Sequence, residues 1–197
     1  MVGVLSARTL GPAEQTLHTR TKSRPSGRSV VHVARLAVLV CLWATAVSTA
    51  SGQELPALTQ PVNDFAGVVD DASRQAIDGL VRQLQRTTGD VVVVATVDSV
   101  APFGDIRSFA VELFENGGRG IGERGRDNGL LVVLAVGDRQ VWVEVGYDLE
   151  PFVTDGFAGE TSRLFMVPQF QQGAYGPGLL AGVTRLVGRI AQGRNVT

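Results

Sequence analysis

Beyond residue 50 the chain has no histidine, no lysine and no cysteine: His18, Lys22, His32 and Cys41 all precede it. Without them that portion cannot hold a Ser-His-Asp triad or a Cys-His nucleophile. A lysine Schiff base, a Walker lysine, a disulfide framework and a His/Cys zinc site are excluded as well. Positive charge is also scarce. Past residue 50, twelve arginines face eighteen acids, a net charge of −6. Such a balance argues against nucleic acid as a partner, because phosphate contacts need clustered positive charge. Carboxylate, guanidinium, hydroxyl and backbone groups remain for chemistry. If an ion is bound, it should be a hard cation such as Ca²⁺ or Mg²⁺.

The first 50 residues differ in kind, with six basic residues against one acid. A basic lead ends at Arg35, an apolar run LAVLVCLWATAV follows over residues 36–47, and Ser48-Thr49-Ala50 places small residues at a cleavage position. This is the pattern of an export signal, and the run is short of the roughly 20 residues of a spanning helix. The lead is long for a signal, so a start further in, or an uncleaved N-terminal anchor, stays open. The expected location is periplasmic or extracellular. The expected organisation is a signal over 1–50, a linker over 51–61, one domain over 62–192 and a polar tail over 193–197.

Within the domain, Ile77, Leu80, Val81 and Leu84 fall at helical spacing after a capping Asp70 or Asp71. DVVVVATV, residues 90–97, is β-branched without alternation, as expected of a strand covered on both faces. Ile106, Phe109, Ala110, Leu113 and Phe114 mark a second helix. GLLVVLAV, residues 129–136, is another doubly buried strand, joined by a tight Gly137-Asp138-Arg139 connection to QVWVEVGY. There Val141, Val143 and Val145 share one face, and Trp142 with Glu144 the other. Thr154 or Asp155 caps a third helix, cut by Pro168. QQGAYGPG reads as a loop before a last amphipathic helix carrying Leu179, Val183, Leu186 and Ile190. The loop ahead of GLLVVLAV spells G-x-G-x-x-G at Gly120, Gly122 and Gly125, but it leads into a strand instead of opening a helix, which argues against a dinucleotide turn.

Five stretches in this order, NDFAGVVDD, GIGERGRDNGLLVVLA, VWVEVGYDLE, TDGFAG and MVPQFQQGAYGPGLLAGV, resemble the TPM domain family, found in thylakoid-lumen photosystem II repair proteins and in many exported or membrane-anchored bacterial proteins. The resemblance implies an α/β fold, a three-layer α/β/α sandwich with a small mixed sheet in a Rossmann-like arrangement. It also implies acidic loops at one end that bind Ca²⁺ or a related ion, with acid phosphatase activity in some members.

On that basis the candidate metal ligands are Asp64, Asp127, Asn128, Glu144 and Asp155. Each has a second reading: Asp64 an Asx-turn, Asp127-Asn128-Gly129 ordinary turn chemistry, Asp155 a helix cap, and Glu144 a solvent-facing or arginine-paired side chain. Arg119, Arg124 and Arg126 either clamp phosphate or balance nearby acids. No catalytic nucleophile and no organic cofactor site is identified. The functional expectation is divalent-cation binding, with metal-assisted phosphomonoester hydrolysis if the domain is an enzyme. The alternatives are a non-enzymatic, chaperone-like interaction module for envelope or membrane proteins, and a periplasmic binder of a small anion. Expected partners are the cation, a phosphate-bearing ligand, and envelope or membrane proteins.

Overall fold

The computed structural model describes residues 55–196, so the export-signal expectation for residues 1–50 lies outside the described part. Four strands form one sheet in the order β1 (Val62–Asp64), β2 (Val91–Val97), β3 (Gly129–Ala135), β4 (Gln140–Val145). β1, β2 and β3 run parallel, and β4 returns antiparallel to β3. β2 and β3 are central and almost wholly buried, which explains their uninterrupted apolar sequence.

Helix α1 (Asp71–Thr88) follows β1, and α2 (Ile106–Glu115) follows β2. After β4 come α3 (Asp155–Thr161), a π-helical turn over Ser162–Met166, the short α4 (Val167–Phe170) and the long α5 (Tyr175–Gly193). Alternating strand residues divide the core. Val92, Val94, Leu130, Val132 and Leu134 meet Ile77 and Val81 of α1 and Leu179, Val183, Leu186 and Ile190 of α5. Val93, Ala95, Val97, Leu131 and Val133 meet Phe109, Ala110 and Leu113 of α2 on the opposite face. The sheet therefore lies between helices on both sides, the α/β/α layering expected. Complete burial of each such Leu or Ile contributes about 2 kcal/mol.

Strand order follows chain order, without the reversal that opens a ligand crevice in doubly wound sheets. The crossovers β1–α1–β2 and β2–α2–β3 step across the sheet in the same direction, yet α1 and α2 cover opposite faces. They are thus of opposite hand, and one is left-handed against the strong general preference.

Three local details refine the sequence reading. Asp70, not Asp71, caps α1, accepting from the backbone N–H of Ser73 at 2.9 Å. The residues after Gln171-Gln172-Gly173 are only partly a loop, because α5 begins at Tyr175 and takes in Gly176-Pro177-Gly178. Pro177 falls in the first helical turn, where a missing N–H costs nothing. A Cβ on Gly178 would lie 2.6 Å from the Phe170 ring, so glycine lets α5 approach α4. Nor does Pro168 end the third helix. It has no N–H for the Leu164 carbonyl, and the chain widens into the π turn immediately before it and then continues as α4. Among the described residues, no helix is long and apolar enough to cross a membrane.

Candidate functional site

The five residues singled out from sequence do not occupy one place. Asp64 ends β1 in register with Thr96, near the carboxyl end of β2. Asp127 and Asn128 precede Gly129, which is in register with Val91 at the opposite end of the same strand. At about 3.3 Å per residue, five residues of β2 separate the two registers by about 17 Å. Asp64 is therefore removed from the other four, and its donors show what it does instead. Its carboxylate accepts from the backbone N–H of Val68 at 3.1 Å and Val69 at 3.0 Å, from the Thr96 hydroxyl, and from Arg74 at 2.9 Å. Burial works against its charge, but the Thr96 hydroxyl, these two N–H groups and Arg74 outweigh burial and hold the carboxyl below the ordinary range. Asp64 fixes the turn from β1 towards α1.

At the other end, Asn128 is buried and fully engaged. Its Oδ1 accepts from Glu123 N–H at 2.7 Å, and its Nδ2 donates to the Gly89 carbonyl at 2.9 Å. That pairing shapes the glycine-rich loop, which folds back over the entrance to β3. A Cβ on Gly129 would overlap the Ile121 carbonyl, and one on Gly146 the Asp127 carbonyl. Asp127 is exposed, holds a left-handed φ of 53°, and accepts at its carbonyl from Asp148 N–H at 3.2 Å. The turn reading of Asp127-Asn128-Gly129 accounts for the Asn128 side chain and for the backbone of Asp127.

An ionic cluster that sequence reasoning missed lies beside this loop. Asp90 is fully buried and receives both arms of Arg194, Nε at 2.9 Å and Nη2 at 2.7 Å. Arg194 also reaches Asp148 at 2.6 Å, and Arg126 lies 3.6 Å from Asp148 and 3.0 Å from Glu123. The bond from Arg194 holds the Asp148 carboxyl low despite its partial burial, with Arg126 adding to the effect. The bond to Asp90 in turn raises Arg194 further above its ordinary value, against the cost of burial. Arg126 thus balances nearby acids. Nothing local in the sequence joins Asp90 to a partner 104 positions away.

Glu144 and Asp155 line one groove of about 460 Å³ along β4, the sheet's edge strand. Glu150 lines it too, with Arg107 from α2 and Arg163 from the π turn. Glu144 faces the α2 side with Trp142, as the alternation implied, but its partner is the Trp142 indole N–H at 2.8 Å rather than an arginine. Arg107 lies over the Trp142 ring, 5.6 Å from its centroid. Asp155 stands in the first turn of α3, whose cap is Thr154, accepting from Phe157 N–H at 3.3 Å. A carboxylate there favours the positive end of the helix. The π turn presents Ser162 and Arg163 to the groove, and such turns recur at functional sites. Glu150 was within the VWVEVGYDLE stretch but attracts no notice by spacing alone. Among the described residues, no three carboxylate, histidine or cysteine side chains stand close enough to form a ready metal cage.

A model of the TPM domain matches residues 62–189, from β1 to the last turns of α5. The chain belongs to the TPM domain family. The matched span contains both the groove and the glycine loop of this TPM domain. Among solved structures, it is similar to the N-terminal domain of a protein from P. gingivalis, at 28% identity and a TM-score of 0.63, covering 70% of this chain and 86% of that one. The N-terminal domain of cg2496 protein from Corynebacterium glutamicum is similar at 15% identity and a TM-score of 0.51, covering 70% of this chain and 88% of that one. BA42 protein from the psychrophilic bacterium Bizionia argentinensis is similar at 21% identity and a TM-score of 0.50, covering 63% and 82%. The latter two likenesses concern the fold. No curated protein matches the chain.

Proposed function

We propose that this TPM domain is an exported module that holds a hard divalent cation, Ca²⁺ or Mg²⁺, in the groove beside β4 and there engages a phosphate-bearing ligand. One juxtaposition supports the reading: Glu144, Glu150 and Asp155 line the same groove as Arg107 and Arg163. Carboxylates suit a hard ion, and guanidinium suits a phosphoryl oxygen. The fit is one of donor type, since the carboxylates are not gathered into a cage. Water and backbone carbonyls would complete a shell of about six to eight oxygens, and the expected affinity is the weak ~10⁻⁴–10⁻³ M of extracellular calcium modules. If the domain is an enzyme, phosphomonoester hydrolysis is the reaction this pairing would serve, the ion polarising the phosphoryl group. Asp64 and Asn128 take no part, as their polar atoms are already engaged.

A second reading rests on β4, an edge strand that pairs with β3 and has no strand on its outer side among the described residues. The domain would then be a non-enzymatic module for envelope or membrane proteins, its groove ordered by the ion.

Thermal unfolding of the full chain with Ca²⁺, Mg²⁺, Zn²⁺ and phosphate tests the first reading. Calcium or magnesium at millimolar levels should raise Tm, and Glu150→Ala with Asp155→Ala should remove the rise. Phosphate should add to it only when the ion is present. Turnover of an aryl phosphate that stops with chelator marks an enzyme, and stabilisation without turnover marks the module. No rise with either ion would end the proposal.

A further inference from the structure

A second cavity, of about 490 Å³, opens beside the start of β4, between the carboxyl end of β3, α4 and the start of α5. Its floor is apolar: Leu134, Val136, Val141 and Val167. One wall is the Phe170–Tyr175 pair, with ring centroids 5.8 Å apart and planes inclined at 34°. Polar groups enter only at Arg139, Gln140, Gln171 and the Tyr175 phenol. No acid lines this cavity, whereas the adjoining groove, which shares Val141 and Val167 with it, carries three.

The charge is what specifies the occupant. Arg139 is exposed in the β3–β4 turn and has no carboxylate partner among the described residues. Its neighbour Asp138 is committed elsewhere, accepting from Val100 N–H at 2.7 Å and the Ser99 hydroxyl at 3.0 Å. Arg139 also holds a left-handed φ of 55°, which glycine or asparagine would adopt with less strain. A single cation at the edge of an apolar cavity complements a ligand with one anionic head and an apolar body. The size lies within the range of small-molecule sites.

We propose that this cavity binds a small amphipathic monocarboxylate. Its carboxylate would pair with the Arg139 guanidinium and its apolar body would lie against Phe170, Tyr175 and the valine floor. The site adjoins the acidic groove, sharing Val141 and Val167 with it, but its polar lining is its own and it requires no metal.

Octanoate titrated into the full, isotope-labelled chain, in chelator, tests this by amide chemical shifts. Shifts should cluster at Val136, Gln140, Phe170 and Tyr175, which line this cavity and not the acidic groove. Acetate, which has the head alone, and octanol, which has the body alone, should each bind far more weakly. Arg139→Gln should weaken octanoate about tenfold, the usual scale for losing a hydrogen bond to a charged group. Arg86→Gln, an exposed arginine on α1, should leave binding unchanged. Equal affinity in Arg139→Gln, octanol binding as tightly as octanoate, or shifts centred on Glu144 and Asp155 would each overturn the proposal.

Discussion

Asp64 and Asn128 are polar side chains used as internal fasteners, and the structure fixes what their loss should do. Asn128→Ala strands the Glu123 N–H and the Gly89 carbonyl that its amide satisfies, so a loss of about 2–3 kcal/mol is expected in denaturant unfolding. Asp64→Asn removes a carboxylate whose folded pKa lies below its unfolded value. The stability that Asp64 provides is therefore complete above the unfolded value of about 3.9 and is lost as pH falls through the folded one. Unfolding followed from pH 7 down to pH 2 should show the unchanged protein losing stability below about pH 4, and Asp64→Asn should decline less steeply there. Gly146→Ala would push a methyl into the Asp127 carbonyl and should be among the most damaging single-methyl additions in the domain, read as a lower Tm.

At the scale of elements, Pro168 explains an irregularity that sequence shows only as a break. Pro168→Ala restores an N–H facing the Leu164 carbonyl, so amide shifts over residues 162–167 should move towards those of an α-helix. Ser162 and Arg163 would turn with the chain. A cation response that survives this change would separate the carboxylates from the π turn. The helices and the central strands are legible from sequence because burial on one face or on two leaves periodic or continuous apolar runs. Burial does not reveal strand direction. β1 is only three residues long, and its parallel pairing with β2 sends Asp64 to the opposite end from Asp127. That Glu144 and Asp155 share a groove was implied by the family resemblance, not by their spacing. Arg107 and Arg163 come to the same groove through tertiary packing and leave no local signal.

For the molecule as a whole, the Asp90–Arg194 pair joins the start of β2 to the residue just after α5. Arg194→Ala leaves the buried Asp90 carboxylate with only the more distant Arg126, 3.9 Å away, and is expected to cost about 3 kcal/mol, measured as a shifted denaturant midpoint. Because every strand lies beside its predecessor in the chain, most sheet contacts can form between neighbouring segments as they become available. The two parallel pairings still close long stretches of chain, Val62 to Val94 and Val91 to Gly129, so they should form more slowly than the β3–β4 hairpin. Only α5 must come back over the finished face and lock at its far end. Leu186→Ala in α5 should therefore accelerate unfolding while leaving the refolding rate almost unchanged, the kinetic mark of a segment that docks after the barrier has been crossed.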